Sequence, residues 1–353
     1  MLKLILGLAI PVSTVILVAL FYLFQRHRAR SKDDHGDLES LGQQDGDGTQ
    51  AEDLFIFRGG EDLTICDILE APGEVIGKSN YGTLYRALLY RSSGMRLLRF
   101  LRPVCTAATG EEFIDVIEFL GSIRHPNLVP LLGFYSGPRG EKLLIYPFYR
   151  RGNLAEFIRD RSGDSHMWAT IYKISVGIAR GLDHLHTGLM KPVIHANLKS
   201  KNIFLDRSHE PCISDFGLHL LLNPSTGQEM LETSASEGYK APELIKMKDA
   251  NGDTDIYSLG VILLELVTGK EPITVEATPD EDSHLPNYLR NAVLGHRLSD
   301  LYHPGILSSS EDVGVTEERV LKLFQLGMAC CSPSPSLRPN IKQVLRKLEE
   351  IGT

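Results

Sequence analysis

The chain lacks most of what would mark it as a secreted, repeat or nucleic-acid-binding protein. Cysteines are few and odd in number: Cys66, Cys105, Cys212, Cys330 and Cys331 in 353 residues, with no C-x-x-C spacing. That excludes a disulfide framework and a thiolate zinc site as organising devices, and fits reduced thiols facing the cytosol. Excess positive charge is absent too. The net charge is −8, which argues against a nucleic-acid partner. No segment repeats at the period of a solenoid.

One long apolar run is present. Leu4 to Phe24 holds 21 residues without a charge, and at about 1.5 Å per residue it spans roughly 30 Å, the thickness of a bilayer core. Arg26, Arg28, Arg30 and Lys32 follow it, whereas only Lys3 and the amino terminus precede it. The positive-inside rule then places everything after Phe24 in the cytoplasm. A cleaved signal peptide would have a shorter apolar region and its basic cluster on the other side. The expectation is a single-pass protein of the plasma membrane: residues 1–3 outside, a transmembrane helix over 4–24, no encoded ligand-binding ectodomain, and a cytoplasmic remainder.

Negative charge is concentrated next. Residues 31–62 hold ten acids against Lys32 and Arg58. With its Gly, Asp, Gln and Ser and no apolar periodicity, the stretch 25–62 reads as a flexible juxtamembrane linker, basic and then acidic. From Leu63 to Tyr149 the pattern turns to short β-rich runs with one helix. GEVIGKSNYGTLYRALLY reads as a hairpin turning at a glycine-bearing loop, and EKLLIYPFY as a strand. In GEEFIDVIEFLGSIRH, Phe113, Ile117 and Leu120 fall on one helical stripe. Residues 150–351 are mainly helical. Ile171, Ile174, Ile178, Leu182 and Leu185 recur at helical spacing, and TDIYSLGVILLELVTG is apolar nearly all round, as a buried helix would be. The fold class expected is α+β: a small β-rich lobe over 63–149, a larger helical lobe over 150–351, and a cleft between them.

Residues 193–206, VIHANLKSKNIFLD, place His195, Asn197, Lys199 and Asn202 in a polar loop between two apolar runs. The loop resembles the catalytic loop of protein kinases, H-R-D-L-K-x-x-N, in which the Asp accepts the substrate hydroxyl's proton and the Asn holds Mg²⁺. Further matches follow in family order over residues 63–351: Asp215-Phe216-Gly217 resembles D-F-G, Ala241-Pro242-Glu243 resembles A-P-E, Asp255 opens a D-x-Y-S-x-G run, and Arg338 matches the late arginine that pairs with the A-P-E glutamate. The wording HPNLVPLLGFY and LVTGKEP is similar to plant receptor-like kinases of the leucine-rich-repeat type.

Departures from the pattern fall on the chemistry. Asn197 stands at the base position, and an amide has no basic lone pair near neutral pH. The glycine loop, Gly77-Lys78-Ser79-Asn80-Tyr81-Gly82-Thr83-Leu84, has Ser79 at its central glycine. Arg99 occupies the family's lysine position and Val116 that of its helix glutamate, so the family's ion pair is expected to be absent; Asp115 and Glu118 point elsewhere around the helix. The resemblance places Leu84 and Leu97 on the roof of the adenine site, Phe204 on its floor, and Tyr146 and Tyr149 at the lobe connection. Leu97 and Phe204 are larger than the family's residues and are expected to fill part of that site.

The resemblance also implies an intact frame. Leu120, Leu131, His195 and Phe216 would stack between the lobes, and Asp255 would tie the catalytic loop to the helical lobe. Lys199, Asn202 and Asp215 match the family, the last two as metal ligands if Mg-ATP binds. Plainer readings stand beside these: His195 as a packed core histidine, Asp215 bonded to nearby backbone, Lys199 bonded to Asn197 and loop carbonyls, and Ser225, Thr226, Thr233, Ser234 and Ser236 as solvated loop residues. The reading is a membrane-anchored receptor-like pseudokinase acting as a scaffold for signalling proteins, other receptor-like kinases included. No cofactor is expected, Mg-ATP at most as a weak ligand. The alternatives are a weakly active Ser/Thr kinase and an ATP-binding switch without catalysis.

Overall fold

The computed structural model describes residues 52–352 except for the short segments 91–93, 108–110, 161–162, 246–249, 274–282, 298–300 and 309–315. The apolar run 4–24 lies outside the described residues, as does most of the acidic stretch. Among the described residues no helix is long and apolar enough to cross a membrane.

The N-terminal lobe is one antiparallel sheet of six strands: β1 (Asp53–Ile56), β2 (Gly73–Lys78), β3 (Gly82–Leu89), β4 (Gly94–Leu101), β5 (Gly133–Ser136) and β6 (Lys142–Pro147), in the order β1-β5-β6-β4-β3-β2. Strand alternation sets its inner face: Ala87 and Leu89 are buried while Leu88 between them is exposed. Helix α1 (Ile65–Glu70) starts at Thr64, whose hydroxyl accepts from the Asp67 N–H at 3.2 Å. Helix α2 (Glu111–Ser122) buries Phe113, Ile117 and Leu120, the stripe expected from their spacing, and Phe113 meets Phe134 of β5 with ring centroids 5.7 Å apart.

The sheet begins earlier than the linker reading 25–62 allows. β1 pairs with β5 in register Asp53↔Ser136 to Ile56↔Gly133, and the Phe57 N–H continues to the Leu132 carbonyl at 2.9 Å. Leu54, Phe55 and Phe57 supply the apolar contacts, while the surrounding acids dominate the local composition.

The C-terminal lobe is built on helices α3 (Leu154–Arg159), α4 (Trp168–Thr187), α5 (Pro224–Ser236), α6 (Gly252–Thr268), α7 (Leu285–Leu294), α8 (Glu317–Cys330) and α9 (Ile341–Gly352), with a two-stranded ribbon of β7 (Ile203–Leu205) and β8 (Pro211–Ile213). α6 is buried from Thr254 to Thr268 and forms the axis of the lobe. Asn251 and Thr254 close a reciprocal capping box at its start. Its approach to α8 depends on Gly260, where a Cβ would stand 2.7 Å from the Cys330 Cβ and 2.8 Å from the Gly327 carbonyl. Between the lobes lies a cleft walled by β2, β3, the β6–α3 connection and the β7 region.

Candidate active site

The loop holding His195 and Asn197 is fixed by α6. The Asp255 carboxylate accepts from the backbone N–H groups of His195 at 2.7 Å and Ala196 at 3.0 Å, and its Oδ2 also meets His186 Nε2 at 2.9 Å. These bonds hold Ala196 in a left-handed conformation, φ 66°, that costs an alanine about 1 kcal/mol or more. His195 is fully buried, and burial lowers its pKa, so the ring is neutral; its Nδ1 accepts from the Asn197 N–H at 3.3 Å. Asn197 is buried with its Oδ1 unpartnered, and its carbonyl accepts from Asn202 Nδ2 at 2.9 Å. An amide with an idle oxygen sits at the position the resemblance gives to a base, and an amide oxygen does not take up a proton near neutral pH.

Arg99 makes an ion pair other than the family's. Its partner is Asp215: Nη2 to Oδ2 is 2.6 Å, between side chains 10% and 4% exposed. Val116 is half-buried against the core of α2 and offers no charge, while Asp115 and Glu118 are exposed. The longer arginine reaches past the helix to the aspartate 116 residues away in sequence. Asp215 is therefore bonded not to nearby backbone but to Arg99, through one of its two carboxylate oxygens.

The glycine loop is closed on itself. The Ser79 N–H and Oγ both donate to the Gly82 carbonyl, at 2.9 and 3.1 Å, and the Gly82 N–H returns to the Ser79 carbonyl at 3.4 Å. Gly82 is obligatory, since a Cβ there would lie 2.3 Å from the Phe100 carbonyl. Tyr81 folds inward to 6% exposure, its ring 5.8 Å from the Arg99 guanidinium carbon. Asn80 spans to the helical lobe and donates to Glu229 of α5 at 2.7 Å. Two of the loop's backbone N–H groups, those of Ser79 and Gly82, are thus committed within the loop.

In the adenine region Leu97 is 2% exposed on β4, opposite Tyr146 of β6. Phe204 stacks on Tyr149, centroids 5.5 Å apart and planes within 10°. Gly77, Leu84, Leu97 and Phe204 all line the cleft, which nonetheless encloses about 1590 Å³ including its solvent-facing part. The large side chains line the space without closing it. Burial drives the hydroxyl pKa values of Tyr146 and Tyr149 upward, so both are neutral packing groups.

Lys199 turns away from Asn197 and pairs with Glu237 at 2.5 Å, a carboxylate shared with Lys201 at 3.1 Å. Burial opposes the charge on Glu237, but the two lysines hold its pKa below the usual range. The serines and threonines after Gly217 do not form a solvated loop. Most lie in α5, capped by Asn223, with Thr226 and Ser234 buried. The segment leading into it is tied to the small lobe: the Ala107 N–H meets the Leu221 carbonyl and the Asn223 N–H meets the Cys105 carbonyl, both at 2.9 Å.

Other parts of the frame gather as the resemblance implies. Leu120, Leu131, His195 and Phe216 are all buried, and Arg338 forks onto Glu243 at 2.6 and 2.7 Å. Sequence reasoning missed Tyr81, Glu237 and Glu265. Glu265 is 3% exposed on α6 and accepts from Tyr239 at 2.8 Å and Ser200 at 3.1 Å; burial pushes its pKa up to about 8. An acid inside an otherwise apolar helix was the signal available for it.

Set against a Mg²⁺–triphosphate, the arrangement departs at one carboxylate: Asp215 Oδ2 is already bonded to Arg99, whereas Asn202 donates through Nδ2 to the Asn197 carbonyl and keeps its amide oxygen as an acceptor. Among the described residues no other group of three or more His, Cys, Asp or Glu could hold a metal ion.

Comparisons with known proteins agree with the architecture. Residues 71–348 match the model of the protein tyrosine and serine/threonine kinase family. The Arabidopsis thaliana kinase-like protein TMKL1 is 36% identical over 352 residues, covering 98% of this chain and 52% of the relative. A probable inactive receptor kinase of the same plant is 36% identical over 288 residues, 81% of this chain and 42% of its own. The chain thus spans about half or less of the length of these curated relatives. Among solved structures, the maize sucrose-induced receptor kinase 1 domain bound to AMP-PNP is similar with a TM-score of 0.74 and 29% identity, covering 85% of this chain and all of that one. The pseudokinase domain of BIR2, an immune regulator of the RLK/Pelle family, is similar with a TM-score of 0.66 and 29% identity, covering 79% and 80%. With the bilobal frame, the ordered motifs and the family match together, the chain belongs to the protein tyrosine and serine/threonine kinase family, among the plant receptor-like kinases.

Proposed function

We propose that the chain is a membrane-anchored receptor-like pseudokinase, held at the cytoplasmic face by residues 4–24, which engages signalling proteins with little or no phosphoryl transfer. One observation carries this reading: the Arg99–Asp215 ion pair, 2.6 Å long and buried, takes the carboxylate that a catalytic metal would need. Drawing Asp215 onto a metal would take from the arginine its one carboxylate partner, a cost that the metal would have to offset. Asn197 removes the base independently. The relative named as inactive and the pseudokinase neighbour support the same reading.

Its test is a thermal shift of the full chain in detergent with millimolar Mg-ATP. Ligand at 100 times its Kd stabilises a fold by about 2.7 kcal/mol, a shift of several degrees. No shift is expected. A Mg²⁺-dependent shift overturns the reading in favour of an ATP-binding switch, or of a weak Ser/Thr kinase if labelled phosphate transfer exceeds an Asp215→Ala control. The open cleft and the presence of Asn202 and Asp215 are the observations that favour those alternatives.

A further inference from the structure

The cleft is basic in a domain that is acidic. Residues 63–353 carry a net charge of −4, yet eight cations line the cleft against three acids. Some of these charges are matched. Arg99 is taken by Asp215, Lys199 and Lys201 share Glu237, Arg86 reaches Glu74, and Arg159 reaches Glu271. Lys78, Arg150 and Arg151 have no carboxylate partner among the described residues. Lys78 stands on the glycine-loop side, and Arg150 and Arg151 stand on the β6–α3 connection.

The same end of the cleft runs into a groove lined by Met95, Phe148, Tyr149, Arg150 and Arg207. Arg207 also lacks a carboxylate partner, and its carbonyl is held by Arg151 Nε at 3.2 Å. The groove's one acid, Asp206, is spent on its own turn, accepting from the Ser208 N–H, the Ser208 hydroxyl and the Glu210 N–H. Isolated surface arginines need no explanation. Here three of them adjoin one another beside Phe148 and Tyr149, in a concave site whose one carboxylate is that of Asp206.

We propose that this groove docks an extended acidic peptide segment of a partner protein, its Asp and Glu side chains on Arg150, Arg151 and Arg207 and its apolar side chains against Phe148 and Tyr149. Guanidinium forks suit carboxylates, and the flanking aromatics supply the apolar contact that separates a peptide from a free anion. A nucleotide is disfavoured as occupant because Asp215 is paired with Arg99 and the Ser79 and Gly82 N–H groups are bonded within the loop. The inference rests on the non-catalytic reading above, in which no nucleotide claims the cleft.

The experiment titrates the full chain in detergent with a short fluorescein-labelled peptide in which Asp or Glu alternates with Val or Leu around one central Ser. A second peptide has Lys in place of every acid. The acidic peptide is expected to bind, more weakly as salt is added, and the lysine peptide not to bind. Arg150→Ser with Arg151→Ser is expected to weaken binding by at least about tenfold, with melting temperature unchanged because both side chains are exposed. Failure to bind at millimolar peptide, equal binding of the lysine peptide, or undiminished binding by the double variant overturns the groove and leaves the non-catalytic reading standing. Binding followed by Mg-ATP-dependent phosphorylation of the central Ser supports the groove and overturns the non-catalytic reading.

Discussion

Arg338 with Glu243 and Arg99 with Asp215 are both arginine–carboxylate pairs withdrawn from solvent, and they are built differently. Arg338 is satisfied throughout: two bonds to Glu243, one to the Asp253 carbonyl and one from Nε to the Ser332 carbonyl. Arg99 makes a single bond to Asp215, and its buried Nε has no partner. The first pair sits inside the helical lobe and fixes the segment before α6; the second borders an open cleft. The first pair is a completed network, and the second leaves a buried donor to spare beside a cleft.

The comparison can be broken most sharply at Arg338. Arg338→Ala strands the Glu243 carboxylate, and a loss of about 3–5 kcal/mol is expected, read as a melting-temperature drop on the order of 10 °C. Asp255→Asn should come next. It replaces one acceptor by a donor where two backbone N–H groups and His186 converge, for a loss of about 2–3 kcal/mol in denaturant titration. If either variant melts like the native chain, the frame is not held as described.

Arg99→Met is expected to cost less, about 1–2 kcal/mol, because water in the cleft can reach the freed Asp215. It should also expose that carboxylate, so that millimolar Mg²⁺ raises the melting temperature of the variant and not of the native chain. Asn197→Asp alone should give no brisk phosphorylation, since Arg99 would still hold Asp215; rapid autophosphorylation of that single variant would refute the role given to the pair.

The last effect concerns Glu265 and appears only as pH is raised. Its folded pKa, about 8, lies above the ordinary carboxylate value, so the folded chain binds the extra proton between roughly pH 4.5 and 8. Stability therefore falls as pH rises through that window and levels off above it. Glu265→Gln, which mimics the protonated acid, should flatten this slope and melt higher than the native chain at pH 8.5. An unchanged slope would place the proton elsewhere.

The helices whose apolar stripes run without interruption were legible: α2, α4 and α6 follow from the spacing of Phe113, Ile171 or Leu259 and their neighbours. Elements whose inner faces mix residue types were not. α5 buries Thr226, Met230, Leu231 and Ser234, and two hydroxyls in that stripe erase the apolar period, although Asn223-Pro224 is a helix-start signal. β1 is four residues long within an acidic stretch, and only its partner β5 makes it a strand. In the site, the loss of the base at Asn197 could be read from one position. The bond from Arg99 to Asp215 could not, because it depends on how far a longer side chain reaches across two distant segments once the helix offers it only Val116.

Helix α5 carries a consequence for enzymes that act on this protein. The hydroxyls of Thr226 and Ser234 face inward, and the Asn80–Glu229 bond fastens the helix across to the small lobe. A modifying enzyme meets those hydroxyls only in molecules whose α5 has momentarily unwound, so its rate is the open fraction multiplied by its intrinsic speed. Such a segment would behave as a timer, set by the strength of the helix and by its several bonds to the small lobe.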